Sequence, residues 1–266
     1  MAVTIAAAFT GILFGLNHPR IGYARITGTI AVSTAAAGFA GANAATYRTD
    51  SFWRPTALAG TWRLNAGTAQ NVNYVGIAAH DLGTRGCTIQ VQSSTDDSVY
   101  TTRLTIVPTD DSAIMGLFPT VSARYWRLHI TGSGGNPTIA VIQFGVVTEV
   151  PQKATYAPSI SFERARQVAF QVNGSEGGQW LGRTRVRAAL QISMTVQHLS
   201  EAWVESTWDA FATHAESNPF FIADKPGGYP KSCAYAWSGS DLRAERQLAN
   251  ATVANAVTLE LTGFLQ

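Results

Sequence analysis

Carboxylates and histidines are the side chains of this 266-residue chain best suited to chemistry, and their spacing argues against it. Asp96-Asp97 and Asp110-Asp111 are adjacent acid pairs. Two acids can hydrolyse a glycoside when they flank it, roughly 5 to 9 Å apart. Sequence neighbours in a polar stretch such as Ser93–Ser98 read instead as turn residues. The histidines, His18, His80, His129, His198 and His214, are scattered without the spacing of metal ligands. His80 and Asp81 are adjacent at a strand end, where neighbouring side chains point to opposite faces. They read as hydrogen-bonding or ligand-contacting groups, not as a catalytic dyad. No Gly-x-Ser-x-Gly elbow, His-Glu-x-x-His helix or phosphate-binding loop is present. The expectation is a protein that is not an enzyme, with no catalytic residue, no metal and no cofactor.

Binding chemistry is better represented. Tyr47, Phe52, Trp53 and Trp62 form an aromatic set, and Arg48, Asp50 and Arg54 surround it in a loop. Trp53 and Trp62 are expected in a core. Tyr47, Arg48, Asp50, Arg54, His80 and Asp81 are the candidate ligand-binding residues.

The elements that must position these groups are mostly strands. Thr88–Gln92 and Thr102–Val107 alternate with period two, and Asn73–Ala79 is a mostly apolar run. In Tyr125–Ile130, Trp126, Leu128 and Ile130 share one face, while Tyr125, Arg127 and His129 share the other. Strands at this spacing argue for a sandwich over about residues 20–147. The Ala-rich Thr34–Ala45 reads as loop, because Gly38, Gly41 and Asn43 interrupt it.

The pattern changes near Thr148–Pro151. Leu190, Ile192, Met194 and Val196 alternate with polar residues in a long strand. Ser200 is a plausible N-cap for a helix over about 200–216, with Val204, Trp208, Phe211 and Ala215 on one face. Phe220–Ile222, Tyr235–Trp237 and Val257–Leu261 read as further strands. The expected division is therefore 1–147 and 148–266.

Composition supports this reading. Hydrophobic residues make up 46% of the chain, enough for two cores, and charged residues only 14% against a usual share of about 25%. Such a surface suits a protein covered by neighbours in an assembly. The net charge of +2, with no Lys/Arg cluster visible, excludes nucleic acid as an expected partner. Cys87 and Cys233 read as buried, reduced thiols, consistent with synthesis in a reducing cytoplasm. The apolar Ala2–Leu16 lacks a basic start and is too short to cross a bilayer, so it reads as a buried or intersubunit strand with no membrane insertion.

The first region resembles, over about 120 residues, the discoidin, or coagulation-factor type, family. The matching residues are Ser51–Trp53, Gly60–Trp62, Tyr74–Ile77, Val91–Ser94 with Asp96, Ala123–Leu128 and Ile142–Gly145. The terminal cysteines that secreted members bridge are missing. The chain as a whole also resembles a family of tail-tip (distal tail or minor tail) proteins of long-tailed bacteriophages. That likeness is carried by Asn17–Tyr23, Ser51–Thr56, Asn73–His80, Asn173–Arg183 and Asn218–Phe221. The resemblance implies a mainly β chain: a galactose-binding-like β-sandwich, or jelly roll, followed by a tail-hub-like β domain with one packed helix. It further implies a virion component of the tail tip or baseplate, assembled in the bacterial cytoplasm. Its partners would be itself, in a threefold or sixfold ring, other phage tail proteins and a host-surface glycan. A receptor-binding or glycan-adhesion protein is the alternative. A glycan-degrading enzyme fits less well, because residues 152–266 hold no isolated acid pair.

Overall fold

The structure is a computed structural model and describes residues 3–154, 162–249 and 252–265. In chain order its strands begin with β1 (Val3–Ile5), β2 (Arg20–Gly22), β3 (Thr29–Val32), β4 (Gly60–His80) and β5 (Thr88–Ser94). They continue with β6 (Thr101–Ile106), β7 (Ile114–Thr131), β8 (Ile139–Gly145), β9 (Thr148–Glu149) and β10 (Arg166–Gly174). The last are β11 (Trp180–Leu199), β12 (Phe220–Ala223), β13 (Cys233–Ser238), β14 (Ala244–Ala249) and β15 (Thr252–Gly263). The fold class is the expected one, mainly β, with a sandwich followed by a second sheet and one helix.

Two long antiparallel strands, β4 and β7, build the sandwich by bending. Their outer halves, Gly60–Asn65 and Tyr125–Ile130, pair with each other and with β3 and β5, and β6 joins β5. Their inner halves, Tyr74–Ile77 and Ile114–Leu117, pair with β8 and β1. Register shifts between Asn65 and Gln70, and between Val72 and Tyr74, mark the corner. Bulges let a strand turn from one layer into the next. Trp62, Leu64, Trp126 and Leu128 from the outer layer then meet Val75, Ile77, Ile142 and Phe144 from the inner one. Phe144 lies 6.3 Å from Trp62 and 5.8 Å from Trp126, ring centre to ring centre.

The inner layer is covered on both sides, which explains why Asn73–Ala79 is apolar without alternation. Its far face, with Tyr74, Ala78 and Val141, packs on Phe221, Ala223 and Tyr235 of the second sheet. The approach is close enough to require glycine. A Cβ on Gly76 would sit 2.4 Å from the Phe221 ring, and one on Gly22 would sit 2.6 Å from the Tyr74 ring.

The second sheet runs β10-β11-β15-β13-β12-β2-β9, with β14 beside β15. It therefore recruits Arg20–Gly22 from the N-terminal region, so the division at 147/148 does not coincide with the division between sheets. The helix α1 runs through Glu201–Trp203, a π-helical turn Val204–Trp208, and Asp209–Ala215. Ser200 caps it, accepting from the Trp203 N–H at 3.3 Å. Val204, Trp208, Phe211 and Ala215 are buried against Leu190, Ile192, Met194 and Phe220. No helix among the described residues is long and apolar enough to cross a membrane.

The N-terminal segment differs from the expected strand. Only Val3–Ile5 is extended, pairing parallel with β7. Gly11 adopts φ +106°, and a loop follows in which Ile12 and Leu13 are exposed. A buried ion pair holds this loop. Arg20 and Glu149 face each other across β2 and β9, 3.0 Å apart, with side chains 0% and 4% exposed. Glu149 also accepts from the backbone N–H groups of Ile12, Leu13 and Phe14 at 2.7–2.8 Å. Those N–H groups go to a carboxylate instead of a neighbouring strand, and the segment is loop for that reason.

Candidate functional site

The structure scatters the residues proposed from sequence. Arg48 and Asp50 form an exposed ion pair with each other, with side chains 71% and 64% exposed. Tyr47 lies at the junction of the two sheets. Arg25 covers its ring at 4.0 Å, His214 meets it edge-on, and its carbonyl accepts from the Tyr235 hydroxyl. Arg54 is bound through its backbone to Ala36 and Phe39.

His80 is fully buried, its Nε2 bonded to the Ser112 carbonyl at 3.0 Å while Nδ1 accepts from the Leu82 N–H. Burial pushes its pKa down to about 4, so the buried imidazole is held neutral. Asp81 accepts from the Thr138 N–H at 2.6 Å and pairs with Arg85. Trp53 and Trp62 are in the core as expected. Cys87 and Cys233 are free and buried.

Both acid pairs serve turns. Asp96 accepts from Ser98 and Val99 backbone N–H groups and from the Ser94 and Ser98 hydroxyls. Asp110 binds Ser112, and Asp111 binds the N–H and hydroxyl of Thr84. Among the described residues no group of three or more His, Cys, Asp or Glu comes together as metal ligands would.

The polar concentration lies elsewhere, on the outer face of β4, β7 and β5. Alternation turns Trp62, Leu64, Trp126 and Leu128 inward and so turns Arg63, Asn65, Tyr125, Arg127 and His129 outward. The pairing aligns them in rows: Asn65 with Tyr125, Arg63 with Arg127, and Thr61 with His129. Gln92 and Gln90 extend the last two rows onto β5. Like charges placed opposite each other destabilise a sheet. Here Asp97 relieves the Arg63–Arg127 pair by bonding Arg63 and the Tyr100 hydroxyl. That contact, led by the Tyr100 hydroxyl, holds the Asp97 pKa below its usual range, while burial and Asp97 push Tyr100 up to about 12.

Two arginines on this face are fixed in the same way. Arg127 lies 3.6 Å over the Tyr100 ring and donates its Nε to Gln92 at 2.6 Å. Arg124 lies 5.0 Å over the Tyr125 ring and donates its Nε to Asn65 at 2.9 Å. In both, the terminal guanidinium nitrogens make no hydrogen bond among the described residues. Sequence reading placed Arg127 and His129 on the polar face. It missed Arg63, whose alternation with Trp62 and Leu64 was the available signal, and Arg124, which shares its parity with Trp126 and meets the outer face beside a register shift, through Asn65 and the Tyr125 ring.

A second surface is the hairpin β10–β11. Its outer part, up to Ala189, pairs with nothing but itself among the described residues. Phe170, Val172, Trp180, Leu181 and Val186 are 42–65% exposed there. Arg183 and Arg185 lie opposite Val172 and Phe170, and Arg183 covers the Phe170 ring at 4.0 Å. With Arg166 and Arg187 this is an arginine cluster, which corrects the expectation of none. It was hidden because the arginines alternate along the chain instead of running together.

No protein-family model matches the chain, and no curated protein matches it. Solved structures overlap it in part. A pectin-binding carbohydrate-binding module shares 18% identity over 46% of this chain and 91% of its own, with a TM-score of 0.41. Chitosan-binding module 1 of a chitosanase/glucanase from Paenibacillus sp. IK-5 shares 22% identity over 45% and 96%, with a TM-score of 0.40. The CBM32 of AlyQ, in complex with 4,5-unsaturated mannuronic acid, shares 17% identity over 46% and 96%, with a TM-score of 0.40.

Proposed function

We propose that this chain is a non-catalytic adhesion protein whose sandwich recognises a glycan and whose second sheet joins copies of the chain together. The observation that carries the recognition reading is the outer face of β4, β7 and β5. It is the free side of the sandwich, since the second sheet covers the opposite layer. It presents amides, hydroxyls and fixed guanidinium groups on a rigid sheet, the preorganised polar chemistry that binding sites use. Screening the full-length protein on a glycan array tests it. Saturable binding to a defined glycan class is expected, and a blank array would count against adhesion.

A structural role is the second reading, favoured by the hairpin arm. An isolated two-stranded hairpin is at best marginally stable in water, and exposed edges invite pairing. The cover that suits a basic, apolar arm is acidic. Helix α1 supplies Glu205, Asp209 and Glu216 on its exposed side and carries no Lys or Arg. An arm seated on the helix of the next copy is a head-to-tail contact, and such contacts close into rings when the rotation allows. The tail-tip reading adds that this ring surrounds a phage tail axis; its support is the motif resemblance. Mass measurement in solution tests assembly. Arg183→Glu/Arg185→Glu should dissociate the oligomer, and Glu205→Arg/Asp209→Arg in the same chain should restore it. A wild-type monomer at high concentration would end the structural reading.

A further inference from the structure

We propose that the outer face of the sandwich binds an acidic saccharide, with the Arg124 and Arg127 guanidinium forks each taking a carboxylate or sulfate. The inference rests on the adhesion reading and names its ligand class and its residues. It does not depend on how the chain assembles.

The first ground is preorganisation. A guanidinium on a flexible stem loses rotamer freedom on binding, which offsets much of the contact it makes. Arg127 has already lost it. Tyr100 lies beneath the plane and Gln92 holds Nε, so the outer edge remains as a fixed pair of donors. Arg124 repeats the device with Tyr125 and Asn65. Parallel N–H donors of this kind match the two oxygens of a carboxylate or sulfate.

The second ground is charge. The face carries Arg63, Arg124 and Arg127, and Asp97 compensates only Arg63 by direct contact. The two arginines that make no ion pair among the described residues are the two that are stacked and anchored, although the Asp97 charge also reaches Arg127 at longer range. His129 adds no charge at neutral pH, because burial and then Arg127 lower its pKa.

The third ground selects the class. Arg124 is anchored on the β4 side of β7 through Asn65, and Arg127 on its β5 side through Gln92 of the next row, so the two forks are separate donors on one face. A ligand spanning both has to carry repeated acidic groups along an extended backbone. Gln90, Thr61 and Thr102 around the forks offer amide and hydroxyl partners for saccharide hydroxyls. Nucleic acid would need a continuous basic stripe, which this face lacks.

The test is calorimetric titration of the full-length protein with oligogalacturonate, a neutral galacto-oligosaccharide and inorganic sulfate. Saturable binding of oligogalacturonate is expected, weakening with salt, with the neutral sugar at least tenfold weaker. Arg124→Gln and Arg127→Gln should each lose about tenfold, the scale of one charge-assisted pair. Arg124→Lys should lose nearly as much, since lysine keeps the charge without the fork. Arg124 is exposed, so its variants report on binding even if Arg127→Gln perturbs the fold. Equal affinity for neutral and acidic sugars, or wild-type binding by Arg124→Lys, would overturn the inference while leaving adhesion standing. Binding of sulfate alone would also overturn it. Absence of any saccharide binding would remove both.

Discussion

Removing the Glu149 carboxylate is the sharpest perturbation available to this fold. Arg20 is fully buried and its nearest acid is Glu149, 3.0 Å away. Glu149→Ala leaves a guanidinium inside the protein without its counter-charge. Breaking a buried pair from one side costs about 3–5 kcal/mol, because the surviving charge remains desolvated. Two features of this site decide where in that range the value falls. Arg20 keeps the carbonyls of Phe14, Gly15, His18 and Pro19 at 2.7–3.2 Å, which solvate it in part. The backbone N–H groups of Ile12, Leu13 and Phe14 lie in a loop where the Ile12 and Leu13 side chains are exposed, so water can replace the carboxylate there. Both push the cost toward the lower end, about 3 kcal/mol.

Urea denaturation measures this cost, and the cycle of Arg20→Met, Glu149→Met and the double variant measures the coupling. If the attraction between the two charges outweighs their other contacts, the double variant is less destabilised than the sum of the single ones by about 1–3 kcal/mol. Limited proteolysis supplies a local readout, since the loop that Glu149 holds should open to cleavage between Gly11 and Asn17. A Glu149→Ala protein within about 0.5 kcal/mol of wild type, or strict additivity of the two single variants, would refute the reasoning.

Three other outcomes follow from packing and titration. His80 has a pKa near 4 in the folded protein and an ordinary one near 6.5 when unfolded, so protonation favours unfolding. Its contribution is complete above pH 6.5 and is lost as the pH falls toward 4, a change of about 3 kcal/mol; His80→Gln should flatten that part of the pH–stability curve, and an unchanged curve would contradict the assignment. Gly76→Ala should cost about 1–3 kcal/mol by forcing the Phe221 ring away, whereas Gly15→Ala, with open space around it, should be near neutral in the same melt. Trp208→Ala should cost about 3–5 kcal/mol, because the ring is 1% exposed and its Nε1 donates to the Leu242 carbonyl; a loss below about 1 kcal/mol would place Trp208 outside the core.

What could be read from the sequence was whatever local period determines. Trp126, Leu128 and Ile130 had to share a face, and so did Val204, Trp208, Phe211 and Ala215, because strand and helix repeats leave no other arrangement. The misreadings all needed information from across the fold. Ala2–Leu16 looked like a strand because Glu149, which takes three of its N–H groups, lies far along the chain. Arg20–Gly22 gave no sign that it would leave the sandwich for β12. The contacts that Tyr47 and His80 make were equally hidden: the half-buried Tyr47 ring lies under Arg25 and its carbonyl accepts from Tyr235, while the buried His80 bonds the Ser112 carbonyl.

The candidate site follows the same rule. Arginines at 63, 124 and 127 are unremarkable in the chain, where Arg63 lies some 60 residues from the others. Register makes them a site, because it sets Arg63 opposite Arg127 and brings Gln92 and Asn65 to the guanidinium nitrogens. The same register explains why the loop residues are weaker candidates. Arg48 and Asp50 satisfy each other in solvent, and a ligand must first separate them, whereas the forks of Arg124 and Arg127 have nothing to release. Recognition on this chain is therefore expected where strands hold donors open, not where a loop collects polar side chains.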